Sequence, residues 1–108
     1  MQTTFNESDW KLFRKKLPDW QDAYMERLNR EYASLLAGSG TASDKFWELD
    51  RRIREDRSHV GVSARMSRSN MHYNITMLLV DGVISLSELS DFSSELQEYM
   101  TRIIKPDD

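Results

Sequence analysis

The chain has no cysteine. Disulfides, thiolate zinc sites and cysteine nucleophiles are therefore excluded. Histidine occurs twice, at His59 and His72, and a metal site on either would need ligands converging from elsewhere. Glycine occurs four times and proline twice, so breaks in regular structure can be placed one by one. No apolar run exceeds Met77-Leu78-Leu79-Val80, whereas a membrane-spanning helix needs about 20 residues. Met1 to Glu7 show neither the basic start nor the apolar stretch of a signal peptide, which makes the cytoplasm the expected compartment. Gly38-Ser39-Gly40 lacks the lysine and the preceding strand of a phosphate loop. No serine sits in a nucleophile elbow. These absences point to a non-enzymatic protein that needs no cofactor, no metal and no membrane.

What is present describes a small helical domain. At 108 residues, 39% of them hydrophobic and 31% charged, residues 1–108 form one domain able to bury a single core. The net charge of −3 argues against a general nucleic-acid binder. The charge is uneven, however. Between Arg51 and Arg68, six arginines face only Glu55 and Asp56, a local +4 that leaves −7 elsewhere.

The spacing predicts five helices. Trp10, Phe13 and Leu17 mark the first, from about Ser8 to Lys16, capped by Asn6 or Ser8. Pro18 sets a boundary, because the residue before a proline is pushed out of the helical region. A second helix, Pro18 to Ala37, carries Trp20, Tyr24, Leu28, Tyr32 and Leu35 with Leu36, and Gly38 stops it in a left-handed conformation. Ser43 caps a third, Asp44 to Arg57, with Phe46, Leu49 and Ile53 toward the core and Trp47 beside them. A fourth, Ser63 to Val80, buries Ala64, Met71, Ile75, Leu78 and Leu79. The fifth carries Leu86, Leu89, Phe92, Leu96, Tyr99 and Ile103, and Pro106-Asp107-Asp108 forms a frayed tail.

Between the last two helices, Asp81-Gly82-Val83-Ile84-Ser85-Leu86-Ser87-Glu88-Leu89 reads like the back half of an EF-hand calcium loop. The first and third ligand positions are Met77 and Leu79, which bind no hard cation. The motif predicts an EF-hand-like helical hairpin without calcium ligands. Gly82 takes a positive φ, Ile84 plugs the core, and Ser85 with Glu88 forms a capping box.

Two surface features stand out. Arg65-Met66-Ser67-Arg68-Ser69-Asn70-Met71 is a polar helix start, read either as side chains satisfying nearby backbone groups or as a contact site flanked by Arg65 and Arg68. Trp47 stands beside an apolar stripe, close to Arg51 and Arg54. Tryptophan with arginine is the composition that interfaces favour. Trp47, Arg51, Arg54, Arg65 and Arg68 are the candidate partner-binding residues, for a protein or ribonucleoprotein. The same arginines could instead meet nucleic-acid phosphates.

Asp9-Trp10-Lys11-Leu12-Phe13, Lys45-Phe46-Trp47-Glu48-Leu49, Met66-Ser67-Arg68-Ser69-Asn70-Met71 and Asp91-Phe92-Ser93-Ser94-Glu95-Leu96 resemble a family of small, all-helical bacterial proteins of unassigned function. Members are sometimes labelled multidrug transporters, a label at odds with a chain that has no spanning segment. The resemblance implies an all-α fold and no catalytic residues. In size, acidity and lack of cysteine the chain also resembles mobile-element products, including anti-CRISPR inhibitors. The expected function is a regulator or inhibitor of a macromolecular partner; the alternative is a nucleic-acid-binding accessory protein.

Overall fold

The computed structural model describes residues 6–105, and every regular element among them is helical. Four α-helices run in the order α1 (Glu7–Ala37), α2 (Ala42–Asp56), α3 (Met71–Val80) and α4 (Ser94–Ile104). Short 3-10 turns at Arg68–Asn70 and Leu86–Leu89 precede α3 and α4. The expected tail at Pro106 to Asp108 lies outside the described residues.

The boundary expected at Pro18 does not occur: α1 is one helix of 31 residues with the proline inside it. Proline removes one intrahelical donor and leaves the Arg14 carbonyl without its partner. Arg14 and Pro18 are both exposed, so water can satisfy that carbonyl. Tertiary packing supplies the rest. Trp10, Phe13 and Leu17 before the proline and Tyr24 and Leu28 after it are all buried, on one continuous helical stripe. Each buried side chain of this size contributes about 1.5–3 kcal/mol, which together outweighs the helix penalty of roughly 3 kcal/mol. The N-terminus is capped by Asn6, whose Oδ1 accepts from the Ser8 and Asp9 amides at 2.8 and 3.3 Å. At the far end Gly38 is extended, and the left-handed residue is Gly40, with φ of 123°.

The main core gathers around the first half of α1. Trp10, Phe13 and Leu17 pack with Met71, Ile75 and Leu78 of α3, with Leu96 and Met100 of α4, and with Val60, Ile84, Leu89 and Phe92 from the connections. The second half of α1 runs on as a hairpin with α2. This gives the molecule extents of 57 × 30 × 21 Å. No residue of α2 is buried. Phe46, expected to face the core, is 61% exposed. Its cap is Thr41, whose hydroxyl accepts from the Asp44 amide at 3.1 Å, in place of Ser43.

The expected helix from Ser63 is shortened to Met71–Val80. Backbone groups of its predicted first turns bond to side chains instead. Ser67 Oγ accepts from the Asn70 amide (3.2 Å), and Asn74 Nδ2 donates to the Arg65 carbonyl (3.0 Å). Such bonds compete with helical ones. The connection before it passes Gly61, where a Cβ would lie 2.4 Å from the Tyr24 ring.

Gly82 ends α3 with φ of 74°, and Ile84 is buried. The capping box does not form. Ser85 makes no cap bond, and its hydroxyl pairs with that of Ser87 at 2.8 Å. A tight 3-10 turn leaves the box without the α-helical first turn that it closes. The predicted fifth helix is accordingly split. Its α-helical part starts at Ser94, capped by Ser93 Oγ on the Leu96 amide at 3.2 Å. Tyr99 and Ile103, expected in the buried stripe, are exposed.

Candidate functional site

The five candidate residues fall into two groups. Trp47, Arg51 and Arg54 follow one another at spacings of four and three, so they share one face of α2. Trp47 is 63% exposed, and its ring meets Phe46 edge-on at 4.9 Å between centroids. Arg51 is held by Glu48 and by Glu55 (2.6 Å). Its own basicity is raised, first by the Glu48 bond, while Glu48 is held below the usual carboxylate range, first by the bond from Arg51. Arg54 bonds Asp50 at 2.9 and 3.0 Å. The face is an aromatic ridge flanked by arginines already paired with carboxylates along their own helix.

Seam contacts fix how α2 stands against α1. Arg52 bonds Glu31 at 2.7 Å and lies over the Tyr32 ring at 5.6 Å. The Tyr32 hydroxyl donates to Asp56. Burial first, and then this bond to a carboxylate, push the Tyr32 phenol up to about 12. Because Arg52 points toward α1, the neighbouring Trp47–Arg51–Arg54 face points away from it.

Arg68 stands at the other end of the molecule. Its guanidinium grips Glu7 through two bonds, at 2.8 and 3.0 Å, and lies over the Trp10 ring at 5.7 Å. This pairing lowers the Glu7 carboxyl from its ordinary value. Glu7 and Glu31 are 24 residues apart on one helix, about 36 Å at 1.5 Å per residue. Arg65 is exposed near Arg68, and its carbonyl accepts from Asn70 and Asn74. The structure therefore brings Trp47, Arg51 and Arg54 together and sets Arg65 and Arg68 apart from them.

Two constellations escaped the sequence reading. Asp9 is a buried carboxylate, 3% exposed, accepting from the Ser93 amide (2.8 Å) and hydroxyl (2.6 Å). In sequence it reads as an ordinary first-turn acid. His59 Nδ1 lies 3.2 Å from Asp81 Oδ2, on the rim of a shallow depression of about 200 Å³ shared with Ser58, Val60, Tyr73 and Met77. The Ser58 hydroxyl donates to the Glu55 carbonyl at 2.7 Å, so it is committed to the backbone. The histidine–aspartate pair ties the connection after α2 to the end of α3. Nothing in a single sequence links positions 22 residues apart. Among the described residues no group of three or more histidine, aspartate or glutamate side chains is arranged to hold a metal ion. No described helix is long and apolar enough to cross a membrane.

Comparison of the chain with protein-family models, with curated proteins and with solved structures finds no match.

Proposed function

We propose that the protein is a non-enzymatic regulator or inhibitor that binds a macromolecular partner through the outer face of α2. The observation that carries this reading is Trp47. A tryptophan left 63% exposed, on a helix with no buried residue and flanked by Arg51 and Arg54, has the composition of an interface anchor. Intrahelical pairing holds both arginines in place before contact, which lowers the ordering cost of binding. A protein or ribonucleoprotein is the expected partner, and a mobile-element inhibitor, such as an anti-CRISPR protein, is the concrete subtype. The turn at Gly82 is read as an EF-hand-like corner of a single domain that dispenses with calcium.

The nucleic-acid reading keeps the arginines but gives them phosphates. It is second because Glu48, Glu55 and Asp50 already neutralise Arg51 and Arg54, and phosphate binding depends on net positive charge.

The test is affinity capture from the native host with the full chain, a W47A/R51Q/R54Q variant and an R65Q/R68Q variant. The proposal expects a stoichiometric protein complex that survives high salt, is lost with the first variant and persists with the second. Salt-labile retention of RNA or DNA would favour the alternative. Equal capture by all three chains would remove α2 from the interface.

A further inference from the structure

The first half of α1 carries a second charged surface, far along the helix from the α2 arginines. From Trp10 to Pro18 the sequence has four cations and no carboxylate. Lys11, Arg14 and Lys15 stand three and four positions apart, so they share one face, and all three are exposed. That face turns away from the buried Phe13 and Leu17. Neighbouring cations are engaged: Lys16 meets Asp91 at 3.6 Å and Arg68 meets Glu7 at 2.8 Å. Among the described residues Lys11, Arg14 and Lys15 enter no ion pair.

Arg68 extends the surface. Its guanidinium and that of Arg14 each lie 5.7 Å from the Trp10 ring centroid, and so within twice that distance of each other. The Glu7 carboxyl is held below its ordinary value first by the bond from Arg68, and also by the charges of Lys11 and Arg14. One carboxylate thus faces three cations. The surface ends beyond Pro18, where Asp19 and Asp22 follow. Lys11 repels Arg14 and Lys15 across one turn, and like-charged pairs at this spacing weaken a helix. A polyanion laid along the face relieves that repulsion.

We infer that Lys11, Arg14 and Lys15, with Arg68 at their border, form a contact surface for the phosphate backbone of a double-stranded nucleic acid. The make-up of the face selects this occupant over an acidic protein segment. It offers no large apolar anchor, since Trp10 is 6% exposed beneath the two guanidiniums. Protein interfaces centre on aromatic and apolar side chains, whereas backbone phosphates are met by cations alone. The same lack of an exposed ring removes the stacking platform that single strands use. A duplex also presents the denser line of charge, about one per 1.7 Å. The contact is therefore independent of base sequence. With three unpaired cations on a chain of net charge −3, it is weak and salt-dependent. It goes beyond the α2 reading and does not rest on it.

Fluorescence anisotropy of the full chain with labelled DNA and RNA duplexes of mixed sequence, over a series of salt concentrations, tests this. Binding to a duplex is expected, with log K falling against log salt at a slope of about −3 for DNA. K11Q/R14Q/K15Q should lose about tenfold or more in affinity at low salt, and K11Q alone should flatten the slope by about 1. W47A/R51Q/R54Q should bind like the parent. K11Q/K15Q, which leaves Arg14 over Trp10, should melt no lower than the parent, because it removes a repulsive pair. Absence of duplex binding at low salt would overturn the proposal, as would undiminished binding by K11Q/R14Q/K15Q. So would binding lost in W47A/R51Q/R54Q, which would move the contact to α2. A clearly lower melting temperature of K11Q/K15Q would give the lysines a structural role instead. Tighter binding of poly-glutamate than of either duplex would assign the surface to an acidic protein. Complexes that survive high salt are not read in this assay, so its failure leaves the partner-binding reading of Trp47 standing.

Discussion

Asp9 joins the first turn of α1 to the cap of α4 across 84 positions of sequence. Ser93 is engaged twice, since its hydroxyl donates to Asp9 and accepts from Leu96. Asp9→Ala leaves the half-buried Ser93 amide and hydroxyl without their acceptor, at about 1–3 kcal/mol; urea denaturation should show it as a lower midpoint. Gly82 and Gly61 are restricted for different reasons. A Cβ on Gly82 meets nothing within 4 Å, so Gly82→Val is penalised by its φ of 74° alone, by roughly 1–3 kcal/mol. Gly61→Ala instead drives a methyl against the Tyr24 ring. His72 provides a pH signature. It stacks on Tyr99 at 5.0 Å, and burial lowers its pKa from 6.5. The folded state therefore binds this proton less readily than the unfolded chain. The contribution is fully present above pH 6.5 and is lost as pH falls through the lowered folded-state value. Between pH 7.5 and 5.5 the melting temperature of His72→Gln should fall less than that of the parent. A parallel fall in both chains would show that His72 is not responsible.

At the scale of elements, caps and breakers follow the tertiary structure. Ser85 makes no cap bond, so Ser85→Ala should change stability by less than about 0.5 kcal/mol. Ser93→Ala should cost about 1–2 kcal/mol or more, because it removes a cap together with a hydroxyl bond to Asp9. Equal effects of the two substitutions in thermal melts would contradict this assignment. Pro18 sits inside α1 only because packing on both sides holds the helix together. Pro18→Ala restores a donor for the Arg14 carbonyl and should stabilise the protein by about 1–3 kcal/mol. Much of the helical content was legible in the sequence, since Trp10, Phe13 and Leu17, then Tyr24 and Leu28, and Met71, Ile75 and Leu78 repeat at helical spacing. The joins were not legible. Local propensity makes Pro18 a boundary and Ser63 to Asn70 a helix start, and in both places longer-range contacts or competing side-chain bonds decide otherwise.

For the whole molecule, stability should be uneven. Phe13, Met71, Ile75, Leu78, Leu89 and Met100 are fully buried around α3 and the first half of α1, and α2 has no buried residue. Hydrogen exchange should therefore open α2 first, with its amides exchanging well ahead of those around Ile75 and Leu78.

Sequence alone determined the all-helical class, the left-handed turn at Gly82, the burial of Ile84 and the grouping of Trp47 with Arg51 and Arg54. Each of these depends on backbone geometry or periodicity within a few residues. Only the tertiary structure decided that α1 runs through Pro18, that Phe46 stands in solvent, that Asp9 lies buried against Ser93, and that Arg68 stands some 36 Å along α1 from the α2 arginines. Those outcomes depend on which elements cover one another. A helical stripe shows which face is apolar, and packing alone determines whether anything covers it.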